Sequence, residues 1–108
     1  MKERFRNLPL RIGVGIIVLN KENKVFVARR IDNSKNFWQM PQGGVNDKED
    51  FLTAAHRELE EETSIINVEL IKEIEGSITY ELPNHLLGKI WKGKYRGQKQ
   101  KWFLMKFT

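Results

Sequence analysis

"GGVNDKEDFLTAAHRELEEETSI", residues 43–65, opens on a glycine pair and places four glutamates in the five positions from Glu58 to Glu62. Leu52, Ala55, Leu59 and Ile66 recur at spacings of three, four and seven, which predicts a helix over residues 50–63 with one apolar stripe and Asp50 as its N-cap. On that helix Glu61 and Glu62 follow Glu58 by three and four residues, so the three carboxylates project within an arc of roughly 100° beside the stripe. Like charges at these spacings weaken a helix by roughly 0.2–0.5 kcal/mol per pair, and two of them sit toward the negative end of the helix dipole. Local propensity therefore argues against the arrangement. One reading is a solvated acidic face. Arg57 directly before Glu58, Glu49 eight residues further upstream and the glycine loop leading into the helix favour another. A hard divalent cation such as Mg²⁺ prefers carboxylate oxygens and turns mutual repulsion into affinity.

Outward from this stretch, Ile12, Val14, Ile16 and Val18 alternate along a strand with one buried face and a second, partly buried one. A polar turn at 20–24 and a second strand at 25–28 predict an early hairpin. Further strands are expected at 68–74, 78–82 and 102–107. The last two are joined by a long basic connection, 83–101, in which Gly88, Gly93 and Gly97 lie among lysines and aromatics.

A chain of 108 residues that is 40% hydrophobic fits one domain, 1–108, without a repeat, linker or low-complexity tract. It has no cysteine, which excludes a disulfide framework and a thiolate zinc site and matches a reducing, cytoplasmic setting. No segment reaches the ~18 consecutive apolar residues of a membrane helix, and the first residues lack a signal peptide's apolar core, so no membrane partner is expected. The net charge of +5 is unevenly placed: no acidic residue follows Glu81, whereas Lys89, Lys92, Lys94, Arg96, Lys99, Lys101 and Lys106 do. Such a region attracts phosphates, or is simply a solvated lysine-rich loop; charge alone does not separate the two. His56 and His85 have no partner at metal-ligand spacing and read as surface or structural residues.

Gly43, Glu49, Arg57, Glu58, Leu59, Glu61, Glu62 and Ile65 fall on the pattern G-x5-E-x7-R-E-U-x-E-E-x-G-U, where U is a bulky apolar residue. In these eight of nine positions the chain resembles the Nudix hydrolases, with the signature box at 43–65. Ser64 stands where the pattern has glycine. A left-handed helix terminus costs serine roughly 1–2 kcal/mol, so altered helix termination with intact ligands is expected. The resemblance implies an α/β (α+β) fold, an α/β/α sandwich with a mixed sheet, and hydrolysis of a phosphoanhydride. It implies a Mg²⁺ or Mn²⁺ ion held by Glu58, Glu61, Glu62 and the Gly43 carbonyl. Glu49 and Arg57 become the pair that braces loop against helix, and Glu58, Arg57 and Glu62 the catalytic set. The general base varies across the family, and Glu58 is the candidate. Phosphoanhydride hydrolysis needs neutralised phosphoryl charge and an oriented water, both of which divalent cations supply.

"ARR" at 28–30, "WQMPQGGV" at 38–45, "YELP" at 80–83 and "GQKQKWFL" at 97–104 resemble one bacterial branch of that family. That branch removes pyrophosphate from the 5′ end of triphosphorylated RNA, promoting RNA decay, and related members split dinucleoside tetra- or pentaphosphates such as Ap4A and Ap5A. The resemblance implies substrate contacts at Arg11, Arg29, Arg30, Trp38, Tyr80 and Gln98. Cationic groups on phosphates and planar groups on unpaired bases are the means by which single-stranded RNA is held. Trp38 and Tyr80 also read as core or rim aromatics, and the arginine pair as a solvated strand edge. From another class, a catalytically weak RNA-binding module using residues 89–101 fits the basic region. Members of the branch continue beyond the point where this sequence stops, with further strands and a second long helix over the other side of the sheet. The expectation is a chain shorter than its relatives, or a domain completed by pairing. Its final strand would have an uncovered outer edge and face, which predicts self-association through the C-terminal strand.

Overall fold

The computed structural model describes residues 7–29 and 38–108. In chain order these form β1 (Leu10–Leu19), β2 (Ala28–Arg29), β3 (Trp38–Gln39), β4 (Gln42–Gly44), α1 (Phe51–Thr63), β5 (Val68–Glu73), β6 (Ile78–Glu81), a 3₁₀ turn (Ile90–Gly93) and β7 (Gly97–Phe107). The alternation along β1 turns Val14, Ile16 and Val18 to one face, where they meet Ala54, Ala55 and Leu59 of α1 and Phe103 and Met105 of β7. Burial of a large aliphatic or aromatic side chain contributes about 1.5–3 kcal/mol, so this single layer of contacts holds helix to sheet. Phe26, Val45, Leu52, Ile65 and Val68 close its rim.

The sheet is mixed. β1 runs parallel to β7, in register from Leu10 opposite Gly97 to Leu19 opposite Lys106, and antiparallel to β4 on its other side. β5 and β6 both pair antiparallel with the far edge of β7, β5 along its second half and β6 along its first. They are two parts of one course, separated by a bend at Gly76, whose φ is +77°. β2 and β3 form a separate two-stranded ribbon. Among the described residues α1 covers one face and no helix covers the other, so sheet and one helical layer of the expected sandwich are present.

On the second face, side chains of β7 pass over glycines of β1. A Cβ on Gly15 would lie 2.3 Å from the Trp102 ring, and one on Gly13 2.2 Å from Gln98 Nε2, so glycine on β1 makes room for the neighbouring strand's side chains. Gln98 and Gln100 are buried there. Gln100 Nε2 donates to Gln42 Oε1 at 2.5 Å, joining β7 to β4 across the intervening β1.

Several expectations are corrected. The early hairpin is reduced to a Leu19–Val25 bridge with the Asn20 N–H to Lys24 carbonyl and Phe26 N–H to Val18 carbonyl bonds, because further along that edge Ile16 bonds to Pro41 and Gly13–Gly15 pair with β4. Ile66 lies beyond the helix and is 64% exposed, so the apolar stripe ends at Leu59. The final strand begins at Gly97 rather than at residue 102. Its outer edge is not free, since β7 lies between β1 and the β5–β6 course, and this removes the edge-based argument for self-association. Helix termination is not altered either. Ser64 takes the left-handed conformation of the expected glycine, φ 64° and ψ 11°, and its N–H donates to the Glu60 carbonyl. Thr63 steadies the turn, donating from Oγ1 to Leu59 O at 2.6 Å and accepting from Ile65 N at 3.1 Å. Ser64→Gly is therefore expected to raise the unfolding free energy by about 1 kcal/mol. Urea denaturation with unchanged slope checks this; an unchanged midpoint would mean that Ser64 bears no strain.

Candidate active site

The site begins with the entry into α1. Asp50 caps the helix, accepting the Thr53 N–H at 2.7 Å, and this bond holds its carboxyl below the ordinary range. Arg57 then reaches back from the helix to the loop. Its Nε donates to Glu49 Oε2 at 2.8 Å and Nη2 to Glu49 Oε1 at 2.9 Å, a two-pronged pairing, while Nη2 also donates to the Gly44 carbonyl at 2.8 Å. Its Nη1 donates to Glu58 Oε1 at 2.7 Å and Glu61 Oε2 at 3.1 Å. Glu49 additionally accepts the Asn46 N–H at 3.0 Å. The Arg57 bond, followed by that of Asn46, depresses the Glu49 carboxyl against an opposing effect of burial. The Glu49 bond in turn raises the Arg57 guanidinium far above any accessible pH.

Glu58 is pressed onto the glycine loop: a Cβ at Gly43 would lie 2.0 Å from Glu58 Oε2. The Glu58 side chain is 15% exposed and that of Glu61 59% exposed, so the first faces the protein and the second water. Glu62 lies one residue further along, on the exposed side of the helix. Among the described residues no group of three or more His, Cys, Asp or Glu side chains is gathered to hold a metal ion. Glu58 and Glu61 instead each turn one oxygen to Arg57. The donor set still fits a hard divalent cation in kind, being carboxylate oxygens beside a loop position with no side chain to obstruct them.

A cleft of about 280 Å³ runs beside Glu58, lined also by Arg11, Ile12, Gly44, Asn46 and Tyr95. Arg11 crosses Gly44, where a Cβ would lie 2.5 Å from its Nη2, and stacks on Trp91 with Cζ 5.3 Å from the ring centroid. Of the residues expected at the substrate, the cleft thus gathers Arg11 with Glu58. Tyr80 and Gln98 form a separate cross-strand pair, the Tyr80 hydroxyl donating to Gln98 Oε1 at 3.0 Å. Arg29 pairs in register with Trp38 in the β2–β3 ribbon, and the Trp38 ring is exposed. Arg30 lies outside the described residues. Sequence reasoning missed Asn46, Trp91 and Tyr95; the one available signal was the mixture of aromatics and lysines between residues 83 and 101.

A mixed sheet thus carries an acidic helix and a glycine loop locked to each other by Arg57. The NUDIX domain profile matches residues 9–107, and the chain belongs to that family. It is 76% identical over 107 residues to the RNA pyrophosphohydrolase of Pelagibacter ubique, covering 99% of this chain and 68% of that one. It is 49% identical over 111 residues to the RNA pyrophosphohydrolase of a Bradyrhizobium species, covering 97% of this chain and 66% of that one. The chain thus spans about two thirds of the length of these curated relatives. In fold it is similar to the E. coli dihydroneopterin triphosphate pyrophosphohydrolase, with a TM-score of 0.72 at 23% identity over 92% of this chain and 70% of that one.

Because the Glu49 carboxyl is depressed in the folded protein, the stability it supplies is complete above its ordinary value of 4.5 and disappears as pH falls through the lowered value. The unfolding free energies of the parent and Glu49→Gln are therefore expected to differ at neutral pH and to converge in acid. Parallel urea titrations across that range check this, and a pH-independent difference would show that the carboxylate charge is not what matters.

Proposed function

We propose that this chain is a metal-dependent hydrolase that removes pyrophosphate from the 5′ end of triphosphorylated RNA, exposing the transcript to decay in the cytoplasm, and that it works as one domain. One observation carries the reading: Gly43, Glu49, Arg57, Glu58 and Glu61 form one locked unit in a chain 76% identical to the RNA pyrophosphohydrolase of Pelagibacter ubique. Among the described residues, no helix is long and apolar enough to cross a membrane.

Glu58, Glu61 and Glu62, with the Gly43 carbonyl, would hold Mg²⁺ or Mn²⁺. Such an ion, when bound, neutralises phosphoryl charge and makes water a stronger nucleophile. The remaining steps fall to the chain's own side chains. Glu58, which lines the cleft, takes the proton from the attacking water. That water's oxygen bonds to phosphorus as the anhydride bond to pyrophosphate breaks, leaving a 5′-monophosphate. Arg57 keeps Glu58 on the loop, and Glu62 belongs with it to the catalytic set. Arg11 draws the phosphate chain into the cleft, and Arg29, Arg30, Trp38, Tyr80 and Gln98 contact the RNA beyond it.

The same chemistry suits a dinucleoside polyphosphate, and the ratio of kcat/KM on Ap4A and triphosphorylated RNA ranks the two. An RNA-binding module without turnover is favoured by one observation, that Glu58 and Glu61 both accept from Nη1 of Arg57, a cation the chain itself supplies. In Mg²⁺ with 5′-triphosphorylated RNA, Glu61→Gln and Glu62→Gln are expected to cut pyrophosphate release by on the order of a hundredfold or more while the circular dichroism of the helix is retained. Release at the parent rate by both variants would defeat the metal assignment, and no release by folded parent protein would favour the binding module. Gly43→Ala, which drives a methyl into Glu58, is expected to lower kcat by about a hundredfold with the fold intact. Unchanged turnover would show that Glu58 need not touch the loop.

A further inference from the structure

Residues 83–96 form a cap that is pinned at its base. The Leu82 N–H donates to the Arg96 carbonyl at 2.7 Å, and the Arg96 N–H to the Pro9 carbonyl at 3.0 Å. The Arg96 guanidinium joins Glu81 at 3.1 Å and also the Leu8 carbonyl, while Leu87 is buried beneath the loop. Inside this frame three successive residues are left-handed: Trp91 at φ 51°, Lys92 at φ 57° and Gly93 at φ 72°. Two adjacent non-glycine residues adopt that region only where their surroundings enforce it. The result is to aim Trp91 at two planar groups. Its ring lies against the Arg11 guanidinium at 5.3 Å and meets Tyr95 edge-on, with centroids 6.0 Å apart and planes at 79°. Arg11 and Tyr95 both line the cleft that contains Glu58. Neither aromatic ring belongs to the hydrophobic core.

We propose that Tyr95 is a base-stacking residue of the substrate cleft, forming with Arg11 a wall for an unpaired base next to the 5′ phosphates, and that Trp91 is the positioning residue which holds both. A phenol ring and a guanidinium plane are suited to the π-face of any base, so the wall grips nucleotides without choosing among them. It lies in the same cleft as the carboxylate that handles the phosphates, as a base bonded through its ribose to the reacting end requires. The inference rests on the RNA-end reading and adds residues to it.

The test uses two triphosphorylated oligoribonucleotides, one intact and one abasic at its first two positions. On intact RNA, Tyr95→Ala and Trp91→Ala are expected to raise KM roughly tenfold with little change in kcat, and Tyr95→Phe to keep the parent value. On the abasic RNA the parent, Tyr95→Ala and Tyr95→Phe should share one KM. An unchanged KM for Tyr95→Ala on intact RNA, or an equal loss on abasic RNA, overturns the stacking role while parent turnover leaves the RNA-end reading standing. If the folded parent hydrolyses neither, equilibrium binding decides. Roughly tenfold tighter binding of intact than abasic RNA by the parent, abolished in Tyr95→Ala, supports the wall even without turnover, and equal binding of both RNAs by the parent overturns it.

Discussion

Five hydrogen bonds from one guanidinium make the acidic helix compatible with the glycine loop. Arg57 gives every N–H it has to Glu49, Gly44, Glu58 and Glu61, and these partners lie on both sides of the junction between β4 and α1. Without that charge, Glu58 and Glu61 would repel at helical spacing with no basic residue in the last turn to offset them. With it, the repulsion becomes a tie to the loop. Because the guanidinium cannot lose its proton, the lock depends on pH only through its carboxylates. The same atoms that keep the helix folded therefore set where Glu58 points.

That placement also needs the sheet to be thin at its edge. β4 enters the sheet with Gly43 opposite Val14 and Gly44 opposite Gly13. The missing side chain at Gly43 lets Glu58 descend onto the loop from the helical side, and the one at Gly44 lets Arg11 cross on the other. Carboxylate and guanidinium thus reach one cleft from opposite faces of a two-strand edge. The Gln42–Gln100 bond binds that edge to β7, which carries the centre of the sheet. Helix lock, glycine edge and glutamine bridge form one continuous mechanical path.

The helix was legible because its signals are local: Asp50 stands where a cap belongs, and Ala55 and Leu59 repeat with the helical period. The β1 core was legible from simple alternation, and Val14, Ile16 and Val18 are buried accordingly. Strand partners were not. The pairing of Leu10 with Gly97 spans most of the chain, and nothing in either segment names the other. The first half of β7 was hidden because its inward residues are Gln98 and Gln100, whose burial is made possible by hydrogen bonds rather than by hydrophobicity. Sequence pattern brought Glu49 to Arg57, but the reach of Arg57 to the Gly44 carbonyl follows only from the loop's path. The Trp91–Arg11 stack depends on consecutive left-handed residues for which no propensity speaks.

The bonds that Arg57 makes are not equivalent, and their ranking bears on how the site fills. The Glu49 pairing is two-pronged and reinforced by Asn46, and the Glu58 bond is short and largely shielded from water. The Glu61 bond is the longest of the five, and its carboxylate is mostly exposed, so solvent screens it and side-chain entropy opposes it. In the metal-dependent reading proposed above, a cation arriving beside Glu58 would compete with Arg57 for Glu61 at the weakest point of the network. Releasing that one oxygen would free the Glu61 carboxylate while Glu49 and Gly44 still hold the guanidinium in place. Under that proposal, the cluster would exchange arginine for a metal ion at its outer member without letting go of the loop that orients its inner one.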